Sequence, residues 1–358
     1  MEYRTLGATG LDVSRLGFGC IKFRHCTQDD VTAALHRALD LGINFFDTAR
    51  GYADSEEKLG RAIGSRRDDY VLATKSTARH AAGILDELET SLRNLRTEAV
   101  DLFFLHTVSD PETYREVTAE GGALEGARKA REQGKARHIA ISIHRDLETM
   151  RQAIASGDYA ALMAAYSVLD PEGAGELLPV AQEAGMGTVV MKPLSGGQLA
   201  SPPRPDGTPL SPDPVVEGAL RWVIAHPSVT SVIPGMVSAQ QVEDNVAAVE
   251  KGPLAEGERQ EVIDAVASLR KSYRYGQQCL RCGYCQPCPE GIDIPAVFQA
   301  AAMARDYPDE LKHMGRELYE AQDHTADDCT ECRECVEKCP AGIDIPKRLR
   351  EVAELLGR

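Results

Sequence analysis

One rhythm runs through roughly the first 250 residues of this 358-residue chain: a short apolar, strand-like run, then a polar turn, then an amphipathic helical stretch. The strand-like runs are LGFGC around Gly17 and Gly19, the residues near Phe45, Val71 to Lys75, Asp101 to His106, His138 to Ser142, Ala161 to Tyr166, Thr188 to Lys192, and Ser231 to Ile233. Helical patterns separate them, among them VTAALHRALDLG, Gly83 to Leu95, Leu124 to Gln133 and Pro214 to Ile224. Eight such units predict an α/β fold of the (β/α)₈ barrel (TIM barrel) type, because an open doubly wound sheet more often has fewer. Met1 to Val13 alternates polar and apolar residues around Gly7 and Gly10, as a hairpin closing one end would. In such barrels, chemistry sits at the carboxyl ends of the strands.

Asn44 to Tyr52, NFFDTARGY, places a carboxylate, Asp47, at the end of one strand and a phenol, Tyr52, on the loop beyond it. Lys75 in VLATKS and His106 in LFFLHT end the next two strands. Singly, each has a bland explanation: a strand-end Asp caps a turn, a Lys snorkels to water, and a buried His is a hydrogen-bonded core residue. On successive strands of one barrel they form a site for proton chemistry. These residues, with DTARGYADSEEKLGRAI, resemble the aldo-keto reductase family. The resemblance implies that Tyr52 is the general acid, that Lys75 lowers its pKa, that Asp47 pairs with Lys75, and that His106 orients or polarises a carbonyl. A free tyrosine titrates near about 10, so a buried ammonium beside it is what brings it into range.

The same resemblance implies hydride exchange with NAD(H) or NADP(H), held across the barrel mouth without a Rossmann glycine fingerprint. Ser142 matches the serine that contacts the carboxamide, and Gly19 and Cys20 border the site. Ile143 replaces the family's asparagine, Met163 stands where a glutamine is usual, and Met191 stands where an aromatic commonly stacks. Pro193, Leu194, Gly196, Gly197 and Leu199, in PLSGGQL, resemble the loop over the pyrophosphate. Gly235, Ser238, Gln241, Asp244 and Asn245, in IPGMVSAQQVEDN, match the adenosine-binding segment. No Lys or Arg lies between Ile233 and Asn245, where a base would grip a 2′-phosphate, and this favours NADH over NADPH. The proline-rich stretch from Ser201 to Pro214 reads as a loop over the site or as an exposed linker. Arg50, Arg79 and His25 are candidates for the mouth, with solvated surface charge as the alternative.

After about residue 272 the composition changes. Two copies of one pattern follow, CLRCGYCQPCPEGIDIP from Cys279 and CTECRECVEKCPAGIDIP from Cys329. The second has the bacterial ferredoxin spacing for a [4Fe–4S] cluster; the first is one residue short before Cys288. Paired CxxC motifs also build Cys₄ zinc sites, but four cysteines in a short run followed by proline, twice, favour iron–sulfur. By the two-cluster rule the fourth cysteine of each motif serves the other cluster. Cys279, Cys282, Cys285 and Cys339 then hold one, and Cys329, Cys332, Cys335 and Cys288 the other. Each GIDIP starts a helix, and the long helical stretch between the motifs predicts an α-helical ferredoxin-like domain over 273–358, after a barrel over 1–272.

The expected activity is an oxidoreductase that reduces a carbonyl or oxidises an alcohol, with the clusters as an electron relay to a partner protein. Purely structural clusters, or a cofactor-sensing binding protein, are the alternatives. A net charge of −15 argues against nucleic acid or an anionic membrane as partner. The N-terminus MEYRTLGATG lacks the order of a signal peptide, and cysteines spaced for metal fit a reducing compartment, so a cytoplasmic location is expected.

Overall fold

The computed structural model describes residues 1–172, 174–201, 208, 210–267, 278–307, 309–339 and 341–357. Strands β1 (Tyr3–Thr5) and β2 (Asp12–Ser14) form an antiparallel hairpin with Tyr3 opposite Ser14. Eight parallel strands follow: β3 (Phe18–Gly19), β4 (Phe45–Asp47), β5 (Val71–Ser76), β6 (Val100–Leu105), β7 (Ala136–Ser142), β8 (Ala161–Ala165), β9 (Gly187–Met191) and β10 (Ser231–Ile233), each paired with the next. The sheet closes between its first and last strands through parallel bridges Leu16 to Val232 and Gly19 to Gly235. Gly17 N–H donates to Val232 O at 2.8 Å and Gly19 N–H to Pro234 O at 3.0 Å. A Cβ on Gly19 would lie 2.9 Å from Ile233 O, so this glycine is required by the closure itself.

The helices between and after the strands are α1 (Gln28–Asp40), α2 (Ser55–Ile63), α3 (Ala81–Leu95), α4 (Pro111–Thr118), α5 (Ala123–Glu132), α6 (Leu147–Ser156), α7 (Ala174–Glu183), α8 (Pro214–Ile224), α9 (Ala239–Glu250) and α10 (Glu256–Ala265). Their starts follow local chemistry. Thr27 and Asp30 form a capping box on α1, Asp110 caps α4 ahead of Pro111, and Asp146 caps α6. Strand alternation sets what faces inward. Phe45, Ala73, Phe104, Ala140 and Val189 belong to the apolar cluster inside the barrel. Two residues further along each strand, on the same face, come Asp47, Lys75, His106, Ser142 and Met191. The period of two therefore delivers these side chains to one end of the barrel axis.

The chain divides into two compact units, Met1–Leu194 with Pro214–Ala267, and Ser195–Asp213 with Ser268–Arg358. The segment after β9 thus groups with the cysteine-bearing residues, because Gly196 and Gly197 approach Leu280 and Arg281 too closely for a side chain: a Cβ on Gly196 would stand 2.8 Å from Leu280 Cα. Most of the proline-rich stretch from Ser201 to Pro214, and the expected boundary at 272–273, lie outside the described residues. In the second unit α11 (Ile294–Asp306), α12 (His313–Glu320), α13 (Glu334–Glu337) and α14 (Ile345–Leu356) surround a core that includes Ile292, Ile294, Val297, Ile343, Ile345 and Leu349. The repeated GIDIP acts alike in both copies. Asp293 accepts from Ala296 N–H at the start of α11, Asp344 accepts from Lys347 N–H at the start of α14, and each helix has proline in its first turn. Among the described residues no helix is long and apolar enough to cross a membrane.

Candidate active site and cysteine sets

Asp47, Lys75, His106 and Tyr52 converge at the carboxyl end of β4, β5 and β6. Lys75 Nζ donates to Asp47 Oδ2 at 2.6 Å and to Thr48 O at 2.7 Å, and lies 3.5 Å from Tyr52 Oη. The Tyr52 and His106 rings meet edge-on, with centroids 5.7 Å apart. Asp47, Lys75 and His106 are at most 3% exposed. That burial decides the protonation states. It pushes Lys75 down, and Asp47 opposes this as its ion-pair partner. Burial, followed by the positive charges of Lys75, Arg79 and Lys192, holds His106 well below the usual histidine range, so its imidazole is neutral. The arrangement offers a phenol beside an ammonium, with a neutral imidazole edge-on to the phenol ring.

The other residues expected to contact a cofactor are placed more variously. Ser142 Oγ accepts from Thr107 N–H at 3.0 Å and keeps its own hydrogen for another acceptor. Met163 is buried opposite Ser142 and belongs to the barrel's interior cluster, against which Met191 packs. Cys20 is buried near Asp47 and Lys75, and burial raises its thiol well above the ordinary range, so it stays protonated. Pro193 and Leu199 are buried, while Leu194 is half-buried. Gly196 and Gly197 face the chain's own Leu280 and Arg281, with Arg281 Nε donating to Gly196 O at 3.1 Å. Ser238 caps α9 by accepting from Gln241 N–H, and the Gln241 side chain accepts from Val237 N–H at 2.9 Å. Asp244 accepts from Gln240 at 3.0 Å and Asn245 is buried. Gly235 bridges to Gly19.

The eight cysteines of the motifs fall into two groups. Cys279, Cys282, Cys285 and Cys339 line one cavity together with Leu280, Ile294, Phe298 and Ile343. Cys285 feels the charges of Cys279, Cys282 and Cys339, whereas Cys335 feels those of Cys332, Cys288 and Cys329. The fourth cysteine of each motif therefore stands with the first three of the other. Burial pushes the Cys279 and Cys335 thiols up to about 11. Among the described residues no three His, Cys, Asp or Glu side chains are close enough to share a single ion; in a four-iron cluster each cysteine binds a different iron.

Comparison with known proteins decides the family. The aldo/keto reductase family model matches residues 15–217 and 210–267. The chain belongs to the aldo/keto reductase family. Residues 276–343 match the 4Fe-4S dicluster domain, so an aldo/keto reductase barrel is joined here to a ferredoxin-type domain. The chain is 32% identical to the L-galactose dehydrogenase of Arabidopsis thaliana over 286 residues, covering 70% of this chain and 88% of that protein. It is also 32% identical to the aldo-keto reductase YhdN of Bacillus subtilis, over 56% of this chain and 64% of that one. Its structure is similar to the aldo-keto reductase AKR11C1 from Bacillus halodurans in the holo form, with a TM-score of 0.62 at 31% identity, over 74% of this chain and 96% of that one.

Two side chains of this aldo/keto reductase site, Glu56 and His144, escaped the sequence reading, and a third, Arg79, was read there as a mouth candidate or as solvated surface charge. Glu56, fully buried at the start of α2, accepts from Thr74 at 2.7 Å and pairs with Arg50 at 2.5 Å, which ties the Tyr52 loop to β5. In the sequence it looks like any acidic residue in a helix's first turn. Arg79 is not solvated surface charge: its guanidinium donates to His106 O at 2.9 Å and Thr107 O at 3.0 Å, fixing the end of β6. His144 is 6% exposed, with Nδ1 unpartnered among the described residues, and burial, followed by the positive charges of Lys192 and Lys75, holds it well below the usual histidine range. Continuing the Ala140, Ser142 alternation by two residues would have singled it out.

Proposed function

We propose that the barrel catalyses reversible carbonyl reduction with a nicotinamide cofactor, with Tyr52 moving the proton. The observation that carries this reading is Lys75 Nζ, 2.6 Å from Asp47 and 3.5 Å from Tyr52 Oη inside a buried site. An ammonium so placed stabilises the phenolate left when Tyr52 gives its proton to the carbonyl oxygen. Asp47 holds that ammonium in place and limits the cost of burying it. His106, neutral, donates to the same oxygen as negative charge grows there. The cofactor, when bound, supplies or accepts the hydride. Ser142 is the residue here with a hydroxyl hydrogen to give its carboxamide, while Ile143 and Met163 present apolar surface where amides are usual. Ser238, Gln241 and Asn245 line the adenosine side, and the absence of Lys or Arg between Ile233 and Asn245 favours NADH. The two cysteine groups are read as holding two [4Fe–4S] clusters that pass single electrons to or from a partner protein.

The test is turnover of an aldose and simple carbonyl panel with NADH and NADPH. L-galactose belongs in it because the Arabidopsis relative is named for that sugar. Activity that Tyr52→Phe abolishes, with nicotinamide binding retained, supports the reading; a Tyr52→Phe protein as active as the wild type sinks it. Iron and sulfide analysis of anaerobically purified protein tests the clusters.

A further inference from the structure

The two cysteine motifs share one spacing pattern but differ between the cysteines, and one of the differences reverses a charge. Immediately before the second cysteine stands Arg281 in the first motif and Glu331 in the second. The backbone does not distinguish them: both adopt the left-handed conformation, with φ of +50° and +57°. Their surroundings differ. Arg281 N–H donates to Cys279 Sγ at 3.4 Å, and its guanidinium is anchored on Gly196 O at 3.1 Å. The cavity beside it is lined by the first cysteine set and by Leu280, Ile294, Phe298 and Ile343. Glu331 lies in the exposed run from Thr330 to Glu334 and is paired with Arg350, also exposed. Cys332 in that run is exposed, whereas Cys285 of the first set is buried.

One-electron reduction turns a four-thiolate [4Fe–4S] unit from a dianion into a trianion. A dry, apolar cavity opposes the added charge, and a nearby fixed positive charge favours it. At the second set, solvent screens what the exposed Glu331, Arg333 and Arg350 contribute, and Glu331 with Arg350 and Arg333 with Asp344 form pairs that largely cancel. At the first set, a half-buried guanidinium beside Cys279 is screened far less. Resting on the two-cluster reading, we infer that Arg281 is the counter-charge of the inner cluster, raising the potential of that cluster alone, and that the outer cluster around Cys332 is the one open to external electron donors.

The test is an anaerobic redox titration of the cluster-loaded protein with dithionite as reductant, followed by electron paramagnetic resonance, on wild type, Arg281→Gln, Arg281→Lys and Glu331→Gln. Arg281→Gln is expected to lower the reduction equilibrium of one cluster about tenfold, about 59 mV for a one-electron couple, and to leave the other in place. Arg281→Lys keeps the charge and stays with the wild type; Glu331→Gln moves neither cluster. Equal shifts of both clusters, no shift in Arg281→Gln, or Arg281→Lys behaving like Arg281→Gln overturns the inference. Iron content separates these results from faulty assembly, and should Arg281→Gln lose iron, the Arg281→Lys titration decides. A wild-type protein with iron for only one cluster overturns the two-cluster reading itself, and this inference with it.

Discussion

Lys75 in the barrel and Cys285 in the cysteine unit are both ionisable groups taken out of water, and their surroundings treat them in opposite ways. Lys75, 1% exposed, has the Asp47 carboxylate and the Thr48 carbonyl within 2.7 Å. Burial raises the Cys285 thiol, and Cys279, Cys282 and Cys339 beside it add to this, since a thiolate on any of them would make a second one at Cys285 harder to form. The barrel site is thus electrostatically closed by its own side chains. The cysteine set is not; four thiolates around a small apolar cavity need positive charge from iron. The difference teaches which unit stands alone and which is completed by what it binds.

The largest expected effect follows directly. Stripping iron anaerobically with a chelator should abolish the cooperative melting of the second unit while the barrel keeps its own transition, measured by calorimetry alongside circular dichroism. A single transition that iron removal leaves unmoved would break the comparison. Next comes Tyr52→Phe, which removes the proton donor without touching the Lys75–Asp47 pair and is expected to lower kcat by about 10² to 10⁴ with little change in melting temperature. Asp47→Asn acts on both counts. It leaves a buried ammonium without its counter-charge, so stability should fall by about 3 kcal/mol, read from urea unfolding, with activity falling too. Smaller again is Glu56→Gln, expected to cost about 1–2 kcal/mol, because Thr74 keeps an acceptor while Arg50, partly exposed, loses a charge that water can replace in part.

How far the sequence foretold the two units also differs, and for a physical reason. The strand-and-helix rhythm is set by local geometry, so Asp47, Lys75 and His106 could be placed at successive strand ends from the pattern, and Ser142 from the family resemblance. The GIDIP repeat was equally readable, since an Asp cap and a first-turn Pro act within four residues. What depends on distant packing was not. Nothing local to SEEKLG says that Glu56 is buried, because that follows from α2 lying on Thr74. The glycines of PLSGGQL read as a cofactor cradle, yet their space is shared with Leu280 and Arg281, more than eighty residues away. Arg79 could not be told from surface charge until β6 supplied the carbonyls it holds.

The finest test of electrostatic closure in the barrel is pH. His106 and His144 are both buried, and burial together with neighbouring cations depresses both in the folded state. Their unfolded values lie near about 6.5. Above that pH both states are neutral and the histidines add no pH dependence. Below it the unfolded chain gains protons that the folded barrel refuses, so stability falls as pH drops towards the depressed folded values, by up to about 1.4 kcal/mol per unit for each histidine. Asp47 works with the opposite sign, since burial raises it, and so offsets part of that loss as pH falls through its raised folded value. Between about pH 6.5 and 5, His138 and His226, also lowered chiefly by burial, add to the loss in the same direction, so His106 and His144 supply part of it. Melting of the barrel transition across that window should steepen in the wild type and flatten in a His106→Asn, His144→Asn double variant. An equal slope in both proteins would mean that the imidazoles reach solvent, and that the barrel site is less closed than the Lys75–Asp47 pair makes it.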